Sequence, residues 1–141
     1  MGLKEAFDCE YVFVHDAVRC LIEENHIKTL YEELLNGKSC TLAVRVKDTI
    51  KIADENNVVT NTPDRSRLWQ IQTPQAFLVS ELLSAHEHAV KTGFEGTDDC
   101  SVMEHFEKKI TLVEGSYKNI KITTPSDIEI AKVFMKGSED K

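Results

Sequence analysis

The sequence predicts an α/β fold with a parallel sheet, and three observations carry that expectation: an apolar β-prone run at 11–15, a helical stripe behind it, and a second β-prone run at 41–46. Tyr11-Val12-Phe13-Val14 shows no alternation of apolar and polar residues, the pattern of a strand covered on both faces. Ile27, Leu30, Tyr31, Leu34 and Leu35 follow at i, i+3, i+4, i+7 and i+8, and Asn36-Gly37 supplies the stop. Strand, helix and strand make a βαβ unit, whose right-handed crossover is expected to set 41–46 beside 11–15 as its parallel neighbour. At 141 residues and 41% hydrophobic content the chain reads as one domain over 1–141.

Residues 49–53 and 58–60 are two short β-prone pieces around the polar cluster Asp54-Glu55-Asn56-Asn57, so a hairpin is expected there. Lys47, Asp48, Lys51 and Asp54 make it polar, and the arm it forms over 47–68 projects from the core. Its unpaired edges call for a cover, which a second copy would supply. A helix is expected over 79–91, ended by Gly93, and a second from Thr97-Asp98-Asp99, with Thr97 as the cap and the aspartates favouring the helix dipole. Residues 110–113 and 119–122 read as strands. Thr124-Pro125-Ser126-Asp127 starts a last helix that runs to about Met135, before a polar tail at 137–141.

Lys and Arg number 17 against 24 Asp and Glu, a net charge of -7, with no basic block. That balance argues against nucleic acid and anionic membranes as partners, while leaving room for a local phosphate pocket. Cys9, Cys20, Cys40 and Cys100 are scattered without metal-ligand spacing, so reduced structural thiols in a cytoplasmic protein are expected. No apolar run reaches the roughly eighteen residues of a membrane span.

In open α/β sheets ligands sit beyond the carboxyl ends of strands, where Asp16 stands. Its carboxylate suits a divalent cation or a substrate hydroxyl, and Arg19 suits a phosphate; equally, the two pair with each other on a surface turn. Lys121 lies within the apolar alternation Asn119-Ile120-Lys121-Ile122, either facing an anion or reaching out to water. Arg65 and Arg67 are a further basic pair, with Asp64 as a local counter-ion. His86 and His88 fall on different sides of a helix and make a poor metal pair. Trp69 reads as core. Neither a GxGxxG nor a GxxxxGK[ST] pattern occurs.

Taken in order, VHDAVR, VKDTIK, TPDRSRLWQIQTPQAF, GTDDCSVME and VEGSYKNIKITTPSDI resemble the C-terminal part of the 2-C-methyl-D-erythritol 4-phosphate cytidylyltransferases. The resemblance implies a Rossmann-like nucleotidyltransferase fold, truncated at its N-terminal side, with a β-hairpin arm that clasps a second subunit in a homodimer. It implies transfer of CMP from CTP to methylerythritol phosphate, with Mg2+, in non-mevalonate isoprenoid synthesis. Asp16 and Arg19 would line the acceptor site, Asp16 also near the metal, with Thr49 close by. Arg65 and Thr73 would come from the neighbouring subunit's arm side, and Lys121 would position the phosphate. The family's glycine-rich loop and phosphate-binding lysine precede VHDA, so this chain alone is expected to be inactive on CTP. Cys20 departs from the proline that often follows the motif's arginine. Two other readings stand beside this one: a ribitol-5-phosphate cytidylyltransferase, which shares NIKITTP and QTPQ, and a noncatalytic dimerisation module.

Overall fold

The computed structural model describes residues 5, 6 and 8–139, with side chains to 136. Strand β1 (Tyr11–Val14) is followed by helix α1 (Glu24–Leu35) and strand β2 (Cys40–Arg45). The arm carries β3 (Ile52–Ala53) and β4 (Val59–Asn61), then a 3-10 turn at Arg65–Arg67. Strand β5 (Trp69–Leu78) runs directly into α2 (Val79–Thr92), and α3 (Asp99–His105), β6 (Thr111–Glu114) and α4 (Pro125–Glu139) complete the order. Most of the MGLKEAF lead-in lies outside the described residues, as do Asp140 and Lys141. The expected tail at 137–139 instead continues the α4 backbone.

The main sheet has the order β1-β5-β2-β6. Strands β1 and β2 do run in the same direction, yet they are not neighbours: β5 lies between them, antiparallel to both. Only β2 and β6 pair in parallel. The expected β1–β2 contact is therefore corrected by a strand whose sequence, with three glutamines, a threonine and a proline, carries no strand signal of its own. Residues 119–122, expected as a strand, are irregular in the structure and join no sheet.

Alternation on β1 sorts the core into two layers, since successive strand side chains point to opposite faces. Val12 and Val14 pack with Phe77, Leu82, Ala85 and Met103 under α2 and α3. Tyr11 and Phe13 pack with Leu30, Leu34 and Leu42 under α1. Helix α2 ends where Gly93 adopts φ 68°, a left-handed conformation that glycine takes without a Cβ penalty.

Helix α3 is capped one residue later than expected. The Asp98 carboxylate accepts the Ser101 N–H at 2.8 Å while the Asp98 N–H donates to Ser101 Oγ at 3.2 Å, a reciprocal capping box. His86 donates to Asp99 across 2.8 Å, whereas the His88 ring lies tilted against His105 and Phe106, so the two histidines face different partners. Trp69 is half-buried rather than core, with the Arg45 guanidinium 3.9 Å above its ring. The arm stands as a separate two-stranded sheet. Ile52, Val58 and Val59 are each about half exposed on it or more, at 49%, 60% and 54%.

At the start of α4 the Asp127 carboxylate accepts the N–H groups of Thr123 and Thr124 at 3.0 and 2.8 Å. These backbone donors hold its carboxyl below the ordinary value. A depressed native value means that the unfolded chain binds more protons through the acidic range, so stability rises with pH there. The contribution is complete above the ordinary carboxylate range and is lost as pH falls through the depressed native value. Asp127→Asn should lower the melting temperature at neutral pH, and the gap from wild type should close on acidification; a gap that stays constant down to pH about 2 would contradict this assignment.

Candidate functional site

Pro74 determines the local shape of the site. It has no N–H to give a ladder, and in β5 the pairing with β2 jumps from Thr41↔Gln75 to Ala43↔Ile71. Gln72, Thr73 and Pro74 therefore arch out of register, and the Thr41 hydroxyl takes up the Gln72 carbonyl at 3.1 Å. The Thr73–Pro74 peptide is cis. This arch brings Thr73 against the end of β1, where the Asp16 N–H donates to Thr73 Oγ1 at 3.0 Å.

Asp16 sits two residues beyond β1 and opens a turn closed by the Arg19 N–H on the Asp16 carbonyl at 2.9 Å. The Arg19 side chain is largely buried, at 13% exposure, and its Nη1 donates to the Asn119 carbonyl at 2.7 Å. Its Nε lies 3.5 Å from Asp16 Oδ2, an electrostatic contact without hydrogen-bond geometry. Lys121 Nζ meets the same oxygen at 3.1 Å. His15 joins the cluster through Thr73: the Arg19 carbonyl can only accept, so Nε2 carries the ring proton at 3.1 Å, and in the neutral ring Nδ1 accepts the Thr73 hydroxyl at 3.0 Å.

Asp16, Arg19, Thr73 and Lys121 line a cleft of about 290 Å³ together with Gln72, Gln75, Thr97, Asp98 and Asp99. A second concavity of about 530 Å³ shares Arg19, Ile71, Gln72 and Lys121 with it. Of the residues singled out from sequence, Asp16, Arg19, Thr73 and Lys121 converge here. Thr49 and Arg65 do not: Thr49 is exposed on the arm, and Arg65 Nη1 is held by the Lys47 carbonyl at 2.8 Å beside a separate concavity. Thr73, expected from the neighbouring subunit, is corrected to the cleft of its own chain, because the arch at Pro74 turns it towards Asp16.

Sequence reasoning missed Gln72, Gln75, Thr97 and Asn119. Gln75 Nε2 donates to Asp98 Oδ2 at 2.8 Å and its Oε1 accepts the Cys100 N–H at 3.2 Å, tying the start of α3 to β5. The one available signal was polar character inside otherwise apolar segments, which is weak without knowing that β5 is central. Cys100 lies behind this wall, and burial first, then the Asp98 carboxylate, pushes its thiol up to about 12, so it is no nucleophile at neutral pH.

Among the described residues no group of three or more His, Cys, Asp and Glu gathers to hold a metal ion. Carboxylate ligands for a cation in this cleft would have to come from Asp16, Asp98 and Asp99.

The family description that matches residues 2–137 reads 2-C-methyl-D-erythritol 4-phosphate cytidylyltransferase. The enzyme of that name from Caldanaerobacter subterraneus subsp. tengcongensis is 46% identical over 129 residues, 92% of this chain and 57% of the relative. Its counterpart from Lachnospira eligens is 45% identical over 139 residues, 96% of this chain and 61% of the relative. The crystal structure of 4-diphosphocytidyl-2C-methyl-D-erythritol synthase from Anaerococcus prevotii superposes with a TM-score of 0.86 at 37% identity, covering 96% of this chain and 63% of that one. The Thermus thermophilus cytidylyltransferase gives 0.82 at 27% identity, with 94% and 64% covered. This chain thus spans about three-fifths of the length of the relatives it matches. With the family match running through all five ordered motifs and the nucleotidyltransferase fold reproduced around them, the chain belongs to the 2-C-methyl-D-erythritol 4-phosphate cytidylyltransferase family.

Proposed function

We propose that this chain supplies the acceptor side of a cytoplasmic cytidylyltransferase that joins CMP to 2-C-methyl-D-erythritol 4-phosphate. The observation that carries the reading is the convergence of Asp16, Arg19, Thr73 and Lys121 on one cleft, in a chain of that family. In the reaction an oxygen of the acceptor phosphate attacks the α-phosphorus of CTP. A new P–O bond forms, the α–β bridging bond breaks, and its electron pair leaves with pyrophosphate. Two polyanions must approach, so the task of the protein is placement and charge.

Lys121 and Arg19 draw the acceptor phosphate, and Thr73 meets it or a neighbouring hydroxyl. The charge count supports two further parts of the proposal. Arg19 and Lys121 stand against three carboxylates, Asp16, Asp98 and Asp99, which leaves the cleft one negative charge in excess. More positive charge is needed before a phosphate is welcome. Mg2+ held by Asp16 would supply part of it by neutralising phosphate charge. Arg65 from a second copy would supply the rest, with the uncharged Thr49 hydroxyl beside it as a donor, both delivered by the 47–68 arm. The exposed apolar residues of the arm suit burial in such a homodimer, and the Arg65 guanidinium, held by a carbonyl and not by a carboxylate, keeps its charge for an anion.

Calorimetric titration tests the proposal. The 141-residue chain is expected to bind methylerythritol phosphate, to bind ribitol 5-phosphate more weakly, and to show no turnover of CTP by itself. Dimerisation without binding of either sugar phosphate would favour a noncatalytic interaction module instead. Equal or tighter binding of ribitol 5-phosphate would move the acceptor assignment.

A further inference from the structure

Asn119 is fully buried, with 0% exposure, in a segment that belongs to no sheet. Its side chain and backbone nonetheless reach two of the three other segments that line the cleft, β5 and the turn after β1. Nδ2 donates to the Thr73 carbonyl at 2.9 Å and approaches Gln72 Oε1 at 3.4 Å. Its own carbonyl accepts Arg19 Nη1 at 2.7 Å and Gln72 Nε2 at 3.4 Å. Room for the Gln72 amide comes from Gly115, where a Cβ would stand 2.5 Å from Gln72 Oε1.

The Thr73 carbonyl can only accept, so the NH2 of Asn119 must face it, and this leaves Asn119 Oδ1 buried without a hydrogen bond among the described residues. A buried orphan acceptor costs stability, and an apolar side chain of the same shape would avoid the cost. The residue therefore makes poor sense as core filling. Lys121 follows two positions later, and beyond Asn119 this stretch is tied to β1's exit loop by the Ile122 N–H on the Val18 carbonyl at 3.0 Å.

We infer that Asn119 is a positioning residue: it sets the spacing between Lys121 and the Asp16–Arg19 turn, and with it the seat for the acceptor phosphate. The inference rests on the acceptor-site reading above and adds to it the element that fixes the seat's width. Asn119 touches no substrate in this scheme and acts through Thr73, Arg19 and Lys121.

The experiment compares the 141-residue chain with Asn119→Leu, a near-isostere. Removing the orphan oxygen offsets the Thr73 carbonyl left unpaired, so the melting temperature is expected to stay or rise. Lys121, released from its setting, is expected to be acylated several-fold faster by an amine-reactive ester, read by peptide mass. Affinity for methylerythritol phosphate is expected to fall about tenfold. A second variant, Asn119→Asp, keeps the shape but repels the Thr73 carbonyl when ionised; its affinity relative to wild type should recover as pH falls and the carboxyl becomes a donor. A folded Asn119→Leu with unchanged Lys121 acylation would overturn the inference, as would an Asn119→Asp affinity ratio that is flat with pH. Should wild type fail to bind the sugar phosphate, the functional reading fails, and the acylation contrast still decides the role of Asn119.

Discussion

Lys121→Met is expected to weaken binding of methylerythritol phosphate by about two orders of magnitude while leaving the melting temperature nearly unchanged. Two different environments explain the split. In the free chain Lys121 is half exposed and, among the described residues, its ion pair is with Asp16, and an ion pair of that kind is worth at most about 1 kcal/mol to stability. In the proposed complex the ammonium would be desolvated against a phosphate, and its removal would leave Asp16 facing that phosphate with one fewer cation between them. Truncating one partner of such a charge pair costs about 2–5 kcal/mol, and each 1.4 kcal/mol is tenfold in affinity. Lys121→Arg should recover part of the loss. Calorimetry that finds the methionine variant within about threefold of wild type would remove Lys121 from the site.

The second large effect is on the fold. Phe77→Ala is expected to destabilise the chain by about 3–5 kcal/mol, against a typical total of about 5–15. Phe77 is fully buried, and it stands on β5, where Val12 pairs with it across the sheet. It packs in the layer formed with Leu82, Ala85 and Met103 from α2 and α3. A cavity there cannot be filled by collapse of one side alone, because the strand is held on both edges. Urea denaturation reads the change as a fall in midpoint at constant slope. A loss below about 1 kcal/mol would mean that the layer repacks, contrary to this account. The same substitution should weaken sugar-phosphate binding, since Thr73 lies four residues earlier on the same strand.

Much of the local structure was legible from residue pattern. The α1 stripe, the stop at Gly93, the arm hairpin and the start of α4 at Thr124-Pro125 all stand in the structure. Each rests on local signals: a 3.6 period, a left-handed glycine, a polar turn, a reciprocal cap. The order of strands was not legible, because it depends on β5, whose WQIQTPQAFL carries glutamines and a proline that mask a strand. Its polar residues are the ones that face the cleft, so the feature that hid the strand is the feature that builds the site. Residues 119–122 erred the opposite way. Ile120 and Ile122 alternate like a strand, yet the segment is fixed by the side chain of Asn119 in place of a ladder. Asp16, Arg19 and Lys121 were found from their chemistry at a strand end and within an apolar run, and Thr73 from the family resemblance. Gln72, Gln75 and Asn119 needed coordinates, since amides occur throughout the sequence and only burial singles these out, and the exposed Thr97 is marked only by its place on the cleft lining.

The position of β5 between β1 and β2 has a consequence for how the chain is made. Tyr11 finds its partner in Leu78, and β1 and β2 share no ladder that can join them beforehand. A polypeptide emerging from the ribosome therefore carries both strands with open edges until the arm has been synthesised and β5 follows it out. Such distant pairing slows folding and prolongs the interval in which strand edges can meet the wrong partner. Production of this protein should accordingly respond to chaperone supply and to the speed of translation through the codons for residues 46–78, more than to changes in its finished surface.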